Sequence, residues 1–241
     1  MKNALNLILY ESVSCETDEI QKRKMITYME NNPAMTDLLA RDLSDTIAHG
    51  AVVSMLADMV AVNLNSSPEF AYRMKVAGLL HDIGKLKIAD YLYGREDGTL
   101  RIEEIKYIRM HSRLGYEILK KSGYDDIITE SVLHHHENFD GSGYPDNEKG
   151  LFIPFGARIL RVCDVYAALI SDRPYREAFS TEKAMKLLID EVKNFDMRCF
   201  LALQRAVNSE GFAKVKEVVD EQNRNFADTK ILRTELNLDL W

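Results

Sequence analysis

Cysteine is scarce in this chain: Cys15, Cys163 and Cys199 stand far apart, with no C-x-x-C pair. That usage argues against a disulfide framework and a thiolate zinc site, and it fits a reducing, cytoplasmic compartment. No segment alternates apolar and polar residues as a half-buried strand would, and neither an internal repeat nor a low-complexity tract occurs. No apolar run approaches the length expected of a membrane helix. The stretch Ala4–Tyr10 is short, with one lysine before it and acidic residues after it instead of a small-residue cleavage site. It reads as a packed element, not as a signal peptide. A positive charge excess is missing too. With a formal net charge of −7 the chain offers no broad basic surface to duplex nucleic acid, so an anionic ligand such as a small phosphate must be met by a few placed cations.

What is present suffices for a core: 241 residues, 46% hydrophobic and 29% charged, enough for one or two domains. Asn31-Asn32-Pro33 is the first strong punctuation, and Pro33 suits the first turn of a helix, so residues 1–32 read as an added N-terminal segment. From Thr36 to Leu64 the apolar residues Leu39, Leu43, Ile47, Val52, Leu56 and Met59 recur with helical spacing, predicting one long helix or two abutting ones. Asp45, His49, Val53 and Leu56 share one face of it. Asn65-Ser66-Ser67-Pro68 breaks the pattern, and a second helix from Glu69 delivers His81-Asp82. A helix-start signal at Thr99–Glu103 precedes Ile105, Ile108 and His111; Leu114, Ile118 and Leu119 carry the period to Ser122-Gly123. Ile127–His136 reads as a helix ending in three histidines, followed by a long loop over Glu137–Pro154. Further helices are predicted over Ile159–Ile170, Thr181–Val192, Arg198–Val207 and Phe212–Phe226. The expectation is an all-α protein with a core domain over 33–210 and a C-terminal helix and tail over 211–241.

The six histidines form one ordered series with acidic partners: His49, His81-Asp82, His111, His134-His135-His136, then Asp164. Imidazole and carboxylate are the donors that hold borderline and hard transition metals, and a mononuclear site does not need so many, which suggests two or more ions. Adjacent helical residues point about 100° apart, so His81 and Asp82 can share only a ligand lying between their directions, and a carboxylate can bridge two cations. A lone His-Asp pair would more often be a buried imidazole bonded to a carboxylate; the other histidines reverse those odds. His135 and His136 can reach one site only where the helix end relaxes, and His134 then points elsewhere, as a surface residue or a support. Asp140-Gly141-Ser142-Gly143-Tyr144-Pro145 alone would be a turn, its glycines permitting positive φ.

Taken together, His81-Asp82-Ile83-Gly84-Lys85 and His135-His136-Glu137-Asn138-Phe139-Asp140-Gly141-Ser142-Gly143-Tyr144-Pro145 resemble the HD-GYP family of metal-dependent phosphohydrolases. The likeness runs from about Leu43 to Val207 and includes Arg173-Pro174-Tyr175-Arg176. It implies an HD-domain helical bundle and a phosphodiesterase that opens cyclic di-GMP to linear pGpG, with GMP as a further product. Another cyclic dinucleotide, a nucleotide phosphate ester, or a receptor that binds without cutting are the alternatives. By the same resemblance one divalent ion is held by His49, His81, Asp82 and Asp164, and Asp82 bridges to a second held by His111, His135 and His136. A third ion in some members uses a glutamate four residues before the first histidine; here that residue is Asp45, one methylene shorter. Iron or manganese fits this all-N/O donor set first, with zinc and nickel also compatible.

Two such ions would supply a nucleophile from water and draw charge off the phosphoryl oxygens. The resemblance assigns Lys85 to the scissile phosphate and Arg173, Arg176 and Tyr144 to substrate binding. The pattern departs from the family in two places. Ala167 stands where an aspartate usually follows the metal-binding one by three residues, and Tyr93-Gly94-Arg95 replaces a common lysine-proline segment. The N-terminal segment shows no receiver or sensor pattern; it packs on the core or pairs two chains, leaving a homodimer or a signalling-protein partner open.

Overall fold

A computed structural model describes residues 33–87, 108–173 and 176–235. Among the described residues there are eight α-helices and no strand: α1 (Pro33–Asn63), α2 (Pro68–Leu80), α3 (His111–Lys121), α4 (Asp126–Leu133), α5 (Phe155–Ile170), α6 (Thr181–Asp190), α7 (Met197–Val207) and α8 (Phe212–Glu235). The all-α expectation holds. The readings made for residues 1–32, for Tyr93-Gly94-Arg95, for the helix start at Thr99–Glu103, for Pro174-Tyr175 and for the tail beyond 235 lie outside the described residues.

Local chemistry accounts for most helix starts. The Ser67 hydroxyl accepts from the Phe70 N–H at 3.2 Å, with Pro68 in the first turn where its missing N–H costs nothing. Asp125 caps α4 through the Ile128 N–H, Ser180 caps α6 through the Lys183 N–H, and Asp196 caps α7 through the Arg198 N–H. The Thr36–Leu64 pattern is one helix that opens at Pro33. Several predicted boundaries move: α5 begins four residues early, at Phe155, and α6 ends at Asp190. The fourth helix stops at Leu133, so the histidine triplet lies in the turn beyond it, and the last helix runs past Phe226 to Glu235.

α1 and α5 form the centre: α1 packs against α2, α5, α7 and α8, while α5 also meets α2, α4, α6 and α7. Val52, Val53, Leu56, Ala57, Val60 and Ala61 of α1 are fully enclosed. This corrects one expectation, because Ser44–Asn63 is long and apolar enough by length and composition to cross a membrane. Half of that stretch is buried inside the protein, and the neighbouring helices cover Val52, Val53, Leu56, Ala57, Val60 and Ala61, while Ile47 and Val62 stay exposed. Phe212, Val215 and Val219 of α8 enter the same core.

Candidate metal centre

Five parts of the chain bring the histidines and aspartates together. His49 lies in α1, His81-Asp82 in the turn that ends α2, His111 at the first residue of α3, His135-His136 just beyond α4, and Asp164 within α5. Two glycines let the backbones come close enough. A Cβ on Gly50 would stand 2.5 Å from the Leu79 carbonyl oxygen, so α1 and α2 cross tightly beside His49. A Cβ on Gly84 would collide with the His111 carbonyl, so the turn after His81-Asp82 lies directly on the start of α3.

One ligand atom from each of His49, His81 and Asp82 lies within 4.8 Å of the others, and the same is true of His111, His135 and His136. Asp82 lies between the groups: its Oδ2 is 3.3 Å from His81 Nε2 and its Oδ1 3.3 Å from His111 Nε2. Asp164 Oδ1 completes the first group, 2.9 Å from His49 Nε2 and 3.6 Å from His81 Nε2. His111 Nε2 is 3.2 Å from His135 Nε2 and 3.0 Å from His136 Nε2.

Ring orientation is set by the backbone. His81 Nδ1–H donates to the Gly78 carbonyl at 2.8 Å, His111 Nδ1–H to Ile108 at 2.6 Å and His135 Nδ1–H to Val132 at 2.6 Å. At His111 and His135 the bond spends the proton of the neutral ring on Nδ1 and turns a bare Nε2 inward, and at His81 it fixes the ring with Nε2 facing the carboxylates. Bare nitrogens facing one another at 3.2 Å repel unless a cation lies between them. Burial holds His111 below the ordinary imidazole value, with Asp82 opposing, and burial plus the neighbouring imidazoles hold His135 well below it. His136, also desolvated, is pushed down to about 3. These rings stay unprotonated, the form that binds a metal.

The first group has the opposite character. Burial disfavours a charged His81, but Asp82 and Asp164 outweigh it and raise the ring to about 10. Both carboxyls are buried yet held well below the carboxylate range, Asp82 by Lys85, His81 and His111, and Asp164 by its bonds with His49 and His81. The pocket thus carries two enclosed carboxylates stabilised by positive charge, and His81 Nε2, Asp82 Oδ1 and His49 Nδ1 have no hydrogen-bond partner. Donor set and orphaned atoms both fit divalent ions.

The remaining expected residues fall out differently. Lys85 Nζ is 2.6 Å from Asp82 Oδ2. The Tyr144 ring stacks on His136 with centroids 4.7 Å apart, and burial raises its hydroxyl. Burial lowers His49 against the pull of Asp164, and the charges of His81 and Arg173 add to the lowering, so Arg173 acts on the first group. Arg176 instead gives its guanidinium to carbonyls, Nη2 to Ala168 at 2.6 Å and Nη1 to Leu169 at 3.2 Å and Glu177 at 2.9 Å, and lies over Phe179. Asp45 is half-buried one turn before His49. His134 is not a surface residue: it is buried among carboxylates. Ala167 is enclosed in the core.

Two cations escaped the sequence reading. Arg161 Nε donates to Asn138 Oδ1 at 2.9 Å, and its charge acts on His136 and Tyr144. Its place three residues before Asp164, on the same face of α5, was the available signal. Arg109 lies over the Tyr144 ring, 5.1 Å from its centroid.

The sequence profile of the HD domain matches residues 33–199. A cyclic di-GMP phosphodiesterase response regulator, RpfG of Xanthomonas campestris, is 40% identical over 156 residues, 64% of this chain and 41% of that protein. A cyclic di-GMP phosphodiesterase of Pseudomonas aeruginosa is 33% identical over 177 residues, 72% of this chain and 42% of its own length. The chain therefore spans about two fifths of these curated relatives. Among solved structures, a cyclic GMP-AMP specific phosphodiesterase of Vibrio cholerae has the same fold, with a TM-score of 0.56, 15% identity and coverage of 76% of this chain and 51% of that one.

Proposed function

The chain belongs to the HD-domain family, and on that premise we propose that it is a metal-dependent phosphodiesterase that hydrolyses cyclic dinucleotides, cyclic di-GMP before others. The observation that carries the reading is Asp82, whose two oxygens face two separate groups of imidazoles at 3.3 Å each. A carboxylate so placed is suited to bridging two ions. His49, His81, Asp82 and Asp164 would hold one, and His111, His135, His136 and Asp82 the other. Asp45 is the candidate donor for a third. Bound divalent ions supply Lewis acidity and activate water for in-line attack on a phosphodiester.

The chain's own residues divide the remaining work. Lys85, beside Asp82, is placed to stabilise negative charge growing on a phosphoryl oxygen. Arg173 at the first group and Arg161 at the second provide cations at both ends of the centre, matching a ligand with two phosphates. Tyr144 offers an aromatic face beside His136 for a purine. Arg176, with its donors spent on the end of α5, positions Arg173 through their shared backbone bridge and need not touch the ligand. This assignment treats 33–210 as the catalytic domain and places the protein in the cytoplasm, in keeping with free Cys163 and Cys199.

The test is anaerobic reconstitution with Fe²⁺, Mn²⁺, Zn²⁺ or Ni²⁺, followed by product analysis on cyclic di-GMP, cyclic GMP-AMP and cyclic di-AMP. Linear pGpG followed by GMP is expected. A fully metallated protein that binds these ligands and cleaves none is a receptor, and the proposal fails.

A further inference from the structure

Buried polar atoms without a partner gather in two places. Of the seven such side-chain atoms among the described residues, His49 Nδ1, His81 Nε2 and Asp82 Oδ1 belong to the centre described above. His134 Nδ1, Glu137 Oε2 and Glu148 Oε2 gather around a different imidazole, and the seventh is the Tyr166 hydroxyl.

His134 is 6% exposed and Glu137 is 1% exposed. His134 Nε2 lies 3.5 Å from Glu130 Oε2. Its Nδ1 lies 3.9 Å from each of three carboxylate oxygens, Glu137 Oε1, Asp146 Oδ2 and Glu148 Oε2. Glu137 Oε1 also accepts the Asp146 N–H at 2.7 Å, and Arg113 Nη2 reaches Asp146 Oδ1 at 3.2 Å. Four carboxylates thus surround one imidazole, with a single guanidinium at the edge. Three carboxylates crowd one edge of the buried ring, and His134 Nδ1, Glu137 Oε2 and Glu148 Oε2 have no hydrogen-bond partner, so negative charge is gathered in an enclosed place. A divalent cation between them reverses the sign of every one of those contacts.

We propose that His134, Glu137, Asp146 and Glu148 form a further divalent-cation site, separate from the catalytic groups, which clamps the loop carrying Tyr144 onto the turn carrying His135 and His136. With metal–donor bonds of about 2.1 Å, the edges of a tetrahedral site are about 3.4 Å. The three edges that run from His134 Nδ1 close by about half an ångström on that scale, and the carboxylates must also draw in on one another, a movement open to Asp146 and Glu148, which are part-exposed. One imidazole with carboxylates favours Mn²⁺, Fe²⁺ or Zn²⁺ over Ca²⁺. The order of residues along the chain suits such a clamp: His134 and Glu137 flank the two metal-facing histidines, and Asp146 and Glu148 follow Tyr144 in the loop.

Mn²⁺ titration of the full chain, followed by electron paramagnetic resonance and by thermal melting, decides the matter. The double variant Asp146→Asn/Glu148→Gln should bind one Mn²⁺ fewer than the unmodified protein, or bind it about 10- to 100-fold more weakly, and should lose part of the Mn²⁺-dependent rise in Tm. Asp82→Asn should show the reverse, losing ions at the catalytic groups while keeping this one, so the two sites fail independently. His134→Gln should match the double variant. If that buried substitution prevents folding, the part-exposed pair still gives the answer. Equal Mn²⁺ stoichiometry and equal Mn²⁺-dependent Tm in the unmodified protein and the double variant would overturn the site, leaving His134 held by its carboxylates alone.

Discussion

Asp82→Asn is the sharpest test of the bridge. Asparagine keeps the volume and one acceptor oxygen, so the enclosed turn between α2 and α3 stays packed, but the negative charge disappears. Because Oδ1 faces His111 and Oδ2 faces His81, both at 3.3 Å, one group loses its oxygen outright and the other exchanges a carboxylate oxygen for a neutral amide. Removing even an outer partner of a metal ligand costs about 10- to 100-fold in affinity. A direct donor should sit at the upper end, about 100-fold or 2.7 kcal/mol for each ion. Joint occupancy of both positions then falls about 10,000-fold, and turnover at a metal concentration that saturates the unmodified protein should fall by at least about 1,000-fold. Calorimetry adds an independent readout. With His81 raised to about 10, metal entry near pH 7.5 must expel its proton, and Asp82→Asn, which removes the leading support of that proton, should reduce the release. Helix content by circular dichroism should not change. Unaltered metal content and rate in this variant would refute the bridge.

Four further outcomes are expected. Gly84→Ala drives a methyl group into the His111 carbonyl, so it should cost about 1–3 kcal/mol by denaturant unfolding and weaken metal binding as well; unfolding and affinity at their original values would show that the turn yields freely. Arg173→Ala should chiefly raise KM, whereas Arg176→Ala should lower Tm with a smaller kinetic effect, and an identical pattern for both would dissolve the distinction between ligand contact and support of α5. Burial raises Asp196, but bonds from Arg198 and Arg158 outweigh it and hold the carboxyl below its ordinary value. Its contribution is therefore present above about pH 4 and declines as the pH falls through the lowered folded-state value, so Asp196→Asn should cost about 1–3 kcal/mol at pH 7 and progressively less as the pH is lowered below about 4, as urea melts across that range would reveal. Asp45→Glu should strengthen binding of a third ion by lengthening the donor, and metal titration with no change from the unmodified protein would remove Asp45 from the centre.

The parts of this fold that rest on local chemistry were legible in advance. Ser67-Pro68, the Ser122-Gly123 stop and the apolar period of α1 each act within a few residues, and the helices they bound lie where the pattern put them. The histidine series was legible because all six histidines of the chain fall into one ordered set with aspartates beside them. Periodicity misled at α4 because a histidine scores the same in the last turn of a helix as in the turn after it. The carbonyl partners of Arg176 at the end of α5 were unreadable because main-chain oxygens carry no sequence signature. Of the two places the sequence left open for His134, the surface one gave way for the converse reason: Asp146 and Glu148 reach it from a loop whose course only the folded chain determines.

The bonds from His81, His111 and His135 to carbonyls three residues back separate two tasks within one short stretch of chain. The acceptors belong to Gly78, Ile108 and Val132, and every residue type carries that oxygen. The side chains at those positions are left to other duties: Gly78 admits the close crossing of α1, and Val132 fills the core. Such a protein can exchange its packing residues beside the metals without touching the tautomers, so long as each short turn keeps its pitch. A substitution that merely loosens one of those turns would disarm the neighbouring ligand while leaving every ligand residue in place.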